Sequence, residues 1–153
     1  MSHQKRAAPY NPSTLVVDNL LYVLLDRGFM ACYDARTGER VYDRKRLPGG
    51  RAFTASPWSY DGKIFCLSEY GTTFVIRAGR QFEIAGKNEL SEDDMCMATP
   101  AIAGNRLFIR TTARIYCVSY ATGPAPEPSH GKELPNAQGH RNDPTPDRPR
   151  QEI

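Results

Sequence analysis

The sequence predicts an all-β chain: a partial β-propeller of two four-stranded antiparallel blades and a three-stranded third blade, followed by a disordered C-terminal tail. Three observations carry this. First, the chain repeats at a shift of 43 residues: Ser13, Ser56 and Thr99 coincide, and so do Leu21-Tyr22-Val23, Ile64-Phe65-Cys66 and Leu107-Phe108-Ile109. A period of about 40–45 residues holding several short strands is the signature of a propeller blade. Second, each copy carries a turn dipeptide at the same place, Asp18-Asn19, Asp61-Gly62 or Gly104-Asn105, and such pairs favour two-residue hairpins. Third, the run after that dipeptide is almost wholly apolar: Leu20 to Leu25, Ile64 to Leu67, Leu107 to Ile109. A strand covered on both faces reads that way. A helix fits poorly, because Val, Ile, Tyr, Phe and Thr dominate and turn residues recur at short intervals.

The elements follow in order. Residues 1–11 form a polar flank, and 12–46 the first unit, with a fourth strand near Arg40 to Arg44. The loop from Leu47 to Arg51 leads to a second unit over 53–87, whose fourth strand is expected at Gln81 to Ala85. An acidic loop, Asn88 to Met95, precedes the third unit, 97–120. Within each unit a second turn (Asp26-Arg27-Gly28, Glu69-Tyr70-Gly71, Thr112-Ala113-Arg114) leads to the third strand. A gapless register aligns Ala31-Cys32 with Phe74-Val75 and Cys117-Val118, and the third unit ends after three strands. The tail, 121–153, holds seven of the twelve prolines and no Phe, Trp or Tyr, so it buries too little apolar surface to offset its ordering entropy.

Composition excludes several functions. The net charge of +3 is spread along the chain apart from Arg44-Lys45-Arg46, which reads as a solvated loop rather than a nucleic-acid face. No apolar run approaches the roughly 18–20 residues of a membrane span, and no signal peptide is visible at the start. Cys32, Cys66, Cys96 and Cys117 form no C-x-x-C pair and read as structural thiols, Cys32 and Cys66 as small core hydrophobes and Cys117 at the site of Ala31 and Phe74. His3, His130 and His140 all lie outside the repeat, so neither a His-based nucleophilic site nor a His-rich zinc site is expected within it. Asp93 and Asp94 could ligate a hard cation, but a solvated acidic loop is the favoured reading.

The stretch Cys32–Tyr42 reads as strand, turn, strand. Gly38 can take a positive φ there, and the Asp34 side chain can accept from backbone N–H groups two or three residues on. It resembles the docking motif of the PQQ-like, or quinoprotein-type, propeller repeat, Ala-x-Asp-x-x-Thr-Gly-x-x-x-Trp. Asp34, Thr37 and Gly38 match, while Cys32 stands for the Ala and Tyr42 for the Trp. In that family the end residues pack between blades. The second unit carries Arg77-Ala78-Gly79-Arg80 instead, and the third lacks the turn entirely. No Gly-His or Trp-Asp dipeptide marks the units as WD40. The superfamily includes quinone-dependent dehydrogenases, the envelope lipoprotein BamB and bacterial repeat proteins without a cofactor, and the likeness is greatest to this last group.

The resemblance implies a chain with fewer blades than a full ring, either the C-terminal blades of a larger propeller or a truncated product. Its two end faces are expected to be apolar and bare. The expected function is a non-catalytic module for protein binding or scaffolding, with no cofactor. Its partner would be another protein or the remaining blades, with self-association possible and no nucleic acid. The family implies a periplasmic, envelope or secreted location. The alternatives are the closing arc of a PQQ- and Ca²⁺-dependent dehydrogenase and a self-assembling structural propeller. In a propeller the inter-blade loops and the second-to-third-strand turns share one face. The candidate binding residues are therefore Arg27, Arg51, Glu69, Tyr70 and Arg114, and Trp58 reads as inter-blade packing.

Overall fold

Eleven strands and no helix make up residues 8–90 and 94–119, the part of the chain that the computed structural model describes. The chain divides after Tyr120, and these residues all belong to its first unit. The N-terminal flank before residue 8, Asp93 and the Pro-rich tail lie outside the described residues.

The first sheet runs β1 (Leu15–Val17), β2 (Leu20–Leu25), β3 (Phe29–Asp34), β4 (Arg40–Arg46), each antiparallel to the next. The second repeats this with β5 (Trp58–Tyr60), β6 (Lys63–Leu67), β7 (Thr72–Arg77) and β8 (Ile84–Glu89). The third has β9 (Ala101–Ala103), β10 (Arg106–Arg110) and β11 (Ile115–Ser119). These are the two four-stranded blades and the three-stranded one that the repeat implies. The first hairpins turn on Asp18-Asn19 (φ 47° and 62°) and Asp61-Gly62 (φ 49° and 65°). Two positive φ values in succession match the right-handed twist of the flanking strands.

The repeat is written in the hydrogen bonds that join the blades. Ser13 N donates to Ser56 Oγ at 2.8 Å, and one repeat later Ser56 N donates to Thr99 Oγ1 at 2.9 Å. Phe53 N reaches Asp26 O at 2.9 Å and Cys96 N reaches Glu69 O at 2.9 Å. Glu69 N reaches Ala52 O at 2.8 Å and Thr112 N reaches Met95 O at 2.9 Å. Each pair is the same bond moved one unit along.

Alternation along the strands then builds a core between successive blades. Tyr22, Leu24, Met30 and Cys32 of the first blade meet Ile64, Cys66, Phe74 and Ile76 of the second. Phe65, Leu67 and Trp58 of the second meet Ile109, Leu107 and Tyr116 of the third, with Cys96 buried among them. Burying a side chain such as Leu24 or Ile64 contributes about 1.5–3 kcal/mol. Trp58 stacks on Phe65 of its own blade at 5.4 Å between ring centroids, and the pair packs against Ile109 and Leu107 of the third blade.

The structure corrects five expectations. The fourth strand of the second unit is Ile84–Glu89, not Gln81 to Ala85. In the first blade Asp34 N bonds Glu39 O, whereas in the second Arg77 N bonds Glu83 O, so the connection is one residue longer and the strand starts later. Arg44-Lys45-Arg46 is strand rather than loop, with Lys45 opposite Met30 and Arg46 opposite Phe29. An edge strand tolerates charged residues that a central one does not.

The third unit is not in gapless register. Leu25 pairs with Phe29 and Ser68 N bonds Thr72 O, each enclosing three residues, whereas Thr111 N bonds Arg114 O and encloses two. The longer turns end on Gly28 (φ 77°) and Gly71 (φ 76°), the left-handed position of a three-residue loop. The third copy has no glycine there, and it drops that residue. Tyr116 therefore occupies the place of Ala31 and Phe74, and Cys117 that of Cys32 and Val75. Carried forward, the shift sets Cys117-Val118-Ser119-Tyr120-Ala121-Thr122-Gly123 against Cys32-Tyr33-Asp34-Ala35-Arg36-Thr37-Gly38, so the third unit has a counterpart of the docking turn in its sequence.

Cys117 is exposed rather than a core thiol, while Cys32, Cys66 and Cys96 are buried. Finally, the outer face of the first blade is not bare: Val23 and Ala31 are 3% and 2% exposed, in a cluster with Leu25 and Tyr33.

Candidate functional site

The docking turn is built as its residue types require. Asp34 Oδ1 accepts from Arg36 N and Thr37 N, both at 3.0 Å, and these bonds hold the carboxyl below its usual range. Thr37 Oγ1 accepts from Glu39 N at 3.2 Å, and Gly38 sits at φ 76°. Cys32 and Tyr42, paired across β3 and β4, are both buried in the core between the first two blades. The Tyr42 ring meets Phe82 of the second blade edge-on at 5.8 Å. Burial pushes the Cys32 thiol up to about 11. Cys32 and Tyr42 thus belong to the joint between the first two blades, and Asp34, Thr37 and Gly38 shape the turn that links their strands.

The other candidates lie where linkers meet turns, at the rim defined by the repeated bonds above. Here the acids point inward and the cations outward. The Asp26 carboxylate accepts from Tyr10 N at 2.8 Å and Asn11 N at 3.1 Å. Burial opposes its ionisation, but the two N–H groups outweigh it and hold the carboxyl below its usual range. Glu69 accepts from the Thr54 hydroxyl. Asp94 is not a solvated loop acid: its side chain is 1% exposed. It accepts from the Thr111 hydroxyl, from Thr112 Oγ1 at 2.7 Å and from Ala113 N at 3.1 Å, with Arg114 Nη1 at 3.4 Å. The two hydroxyls are the main cause of its lowered pKa. Asp94 is the buried brace of the shortened turn, with its oxygens already engaged. Its burial was hidden in the sequence, because the shorter turn that receives it was not read there.

Arg27, Arg51, Tyr70 and Arg114 are exposed around this rim. The Arg51 guanidinium lies over the Tyr70 ring at 4.8 Å. They border a cleft of about 300 Å³ with Ser68, Thr72 and Glu89. Arg27 borders a separate cleft of about 500 Å³ with Tyr10, Asn11 and Asp26. Arg114 is braced by Asp94 in the third blade. The structure brings Arg51 and Tyr70 together, sets Glu69 behind them on Thr54, and leaves Arg27 and Arg114 on neighbouring turns. Such an arrangement offers guanidinium donors, hydroxyls and an aromatic face to a surface laid across it. Among the described residues no three His, Cys, Asp or Glu side chains gather as a metal site, and no helix is long and apolar enough to cross a membrane.

A third cleft, about 400 Å³ and mostly apolar, opens between the second and third blades beside Trp58, Tyr60, Phe65, Ile102 and Val118. Sequence reasoning missed it. Tyr60 and Ile102 stand in short first strands with no other signal that they face one another.

No family model matches the chain, and no curated protein matches it. Solved structures do resemble it. BamB from Moraxella catarrhalis superposes with a TM-score of 0.55 at 13% identity, over 69% of this chain and 32% of that one. The quinohemoprotein alcohol dehydrogenase ADHIIG from Pseudomonas putida HK5 gives 0.52 at 16% identity, over 69% and 17%. The computationally designed Ika8 protein gives 0.50 at 12% identity, over 70% and 32%. The chain spans a third or less of the length of each. The likeness is one of fold, and the fold is that of successive β-propeller blades.

Proposed function

We propose that this chain is a non-catalytic β-propeller module that binds a protein partner through its rim. One observation carries the reading: the rim carboxylates of Asp26, Glu69 and Asp94 are spent on internal hydrogen bonds, leaving Arg27, the Arg51–Tyr70 stack and Arg114 facing outward. Aromatic and Arg side chains are the types that anchor protein interfaces. The partner is taken to be a protein rather than a small molecule because the two clefts at the rim are open rather than enclosed.

The test is site-specific photocrosslinking in the native cell from a benzoylphenylalanine at position 70. One dominant crosslinked protein is expected, lost in Arg51→Glu and kept in Arg51→Lys. A dehydrogenase arc is the competing reading. Dye-linked alcohol oxidation by this chain after loading with PQQ and Ca²⁺, absent without them, would overturn the proposal.

A further inference from the structure

The forward face of each blade, the one turned to the next, can be compared position by position along its second strand. In the first blade it carries Leu20, Tyr22 and Leu24, all buried. One repeat on it carries Lys63, Phe65 and Leu67. In the third blade it carries Arg106, Phe108 and Arg110. Strand alternation sets these three on the side away from Leu107 and Ile109, which pack on the second blade. Across the sheet they pair with Ser119, Cys117 and Ile115. Arg106, Arg110, Cys117 and Ser119 are exposed, and Ile115 is 73% exposed. The aromatic centre is kept, while the first flank goes from Leu20 through Lys63 to Arg106 and the second, apolar in Leu24 and Leu67, becomes Arg110. Among the described residues neither arginine meets a carboxylate.

We infer that this end face is a docking surface for a partner protein that presents an acidic–apolar–acidic strand, of the form Glu-x-Leu-x-Glu. The two arginines are four residues apart on one strand face, about 13 Å. An extended partner segment with carboxylates at the same spacing matches both guanidinium groups and lays its central side chain on Phe108. Arginine is suited to this role because its planar fork binds carboxylate bidentately. A further blade of this repeat is a poor occupant. The facing positions seen here are Ile64 and Cys66, or Leu107 and Ile109, and offer no counter-charge; Lys63 of the second blade is paired by Asp61 of its own turn, but Arg106 has Gly104 at that place and Arg110 replaces an apolar residue. A second copy is poor for the same reason, since the corresponding face of its first blade is Leu21, Val23 and Leu25, already largely buried and without an acid.

The inference extends the protein-binding reading to a second surface, and its test leaves the rim intact. The probe is a fluorescein-labelled nonapeptide with a Glu-x-Leu-x-Glu centre and Thr at the x positions, titrated with the full chain and read by anisotropy. Saturable binding is expected, weakening as salt is raised from about 50 to 500 mM. The Arg106→Glu/Arg110→Glu variant should lose about tenfold or more in affinity and gain binding of the matching Lys-x-Leu-x-Lys peptide. Equal binding of both peptides by the native chain, or no binding of either, overturns the inference. So does unchanged binding in the charge-reversed variant. Loss of binding in Arg51→Glu alone would move the peptide to the rim, sparing the proposed function but not this inference. Displacement of the peptide by a twelve-nucleotide single strand at equal concentration would make the face a nucleic-acid surface and likewise overturn it.

Discussion

The Tyr22 hydroxyl accepts a hydrogen bond from Gly79 N at 2.7 Å and donates to Gly79 O at 3.3 Å, joining the first blade to the loop that follows the third strand of the second. Gly79 sits at φ 151°, in a segment with no Asp–Thr turn of its own. The phenol thus supplies from the neighbouring blade what Asp34 supplies locally in the first. Tyr42, twenty residues on, is the opposite case: it is 7% exposed and, among the described residues, its hydroxyl has no hydrogen-bond partner, only the buried Cys32 thiol beside it. The two tyrosines should respond oppositely to loss of the oxygen. Tyr22→Phe should cost about 1 kcal/mol, by leaving Gly79 N unpaired. Tyr42→Phe should be neutral or stabilise by up to about 1 kcal/mol, because it removes an unsatisfied buried group. Urea midpoints of the two variants test this, and equal losses would refute it.

The glycines of the first blade separate backbone strain from steric conflict. Gly38 and Gly28 both lie near φ 76°. A Cβ at Gly38 meets nothing within 4 Å, whereas one at Gly28 falls 2.4 Å from Gly50 O. Gly38→Ala therefore carries only the left-handed penalty, about 1 kcal/mol. Gly28→Ala adds a backbone clash between turn and linker, and should cost about 2–4 kcal/mol in all. The ratio is read from denaturant unfolding. It should appear also as a loss of the amide protection of Leu47, whose N–H bonds Gly28 O at 3.0 Å.

Buried thiols make stability fall at alkaline pH. Burial raises the Cys32 thiol to about 11 from its ordinary 9, and raises Cys66 and Cys96 as well. Below about pH 9 these groups are protonated in both states and stability is full. Above that the unfolded chain ionises first and binds fewer protons than the folded one, so stability drops as pH climbs towards 11. Unfolding midpoints should decline between pH 8.5 and 10.5, and the decline should shrink in Cys32→Ala/Cys66→Ala. At neutral pH a disulfide-exchange reagent should modify Cys117 fast and the other three only at the unfolding rate.

Much of this was legible because the repeat obeys local chemistry. Ser13, Ser56 and Thr99 coincide in sequence because each position serves the same inter-blade bond, and Asp34–Gly38 announces its turn through side chains that cap their own backbone. The misread parts lack such markers. Hydrophobicity fits Ala31-Cys32 to Cys117-Val118 as well as to Tyr116-Cys117, so only the missing glycine at Arg114 betrayed the shortened turn. β8 was displaced because an outer edge strand is indifferent to polarity, and Gly86-Lys87-Asn88-Glu89 carries no strand pattern. At the rim, residue types revealed which side chains were charged but not which way each faced.

Asp94 offers the last test, because its role depends on that shortened turn. In the first two blades the turn closes with a left-handed glycine. In the third, the Asp94 carboxylate reaches across from the preceding linker and gathers the Thr111 and Thr112 hydroxyls and Ala113 N. Asp94→Asn keeps the shape but removes the charge beside Arg114 and the oxygen that takes the single Thr111 hydroxyl proton, which must then turn to Arg114 O at 3.0 Å. Since the carboxyl is held below its usual range, its contribution is present above about pH 4 and is lost as pH falls through the lowered folded value. Asp94→Asn should therefore unfold at lower urea at neutral pH and approach the parent chain as pH drops towards 2. Arg114→Ala should do less, because that arginine is half-exposed and its ion pair is screened. A parent-like urea midpoint for Asp94→Asn at neutral pH would mean that the two-residue turn closes without its brace.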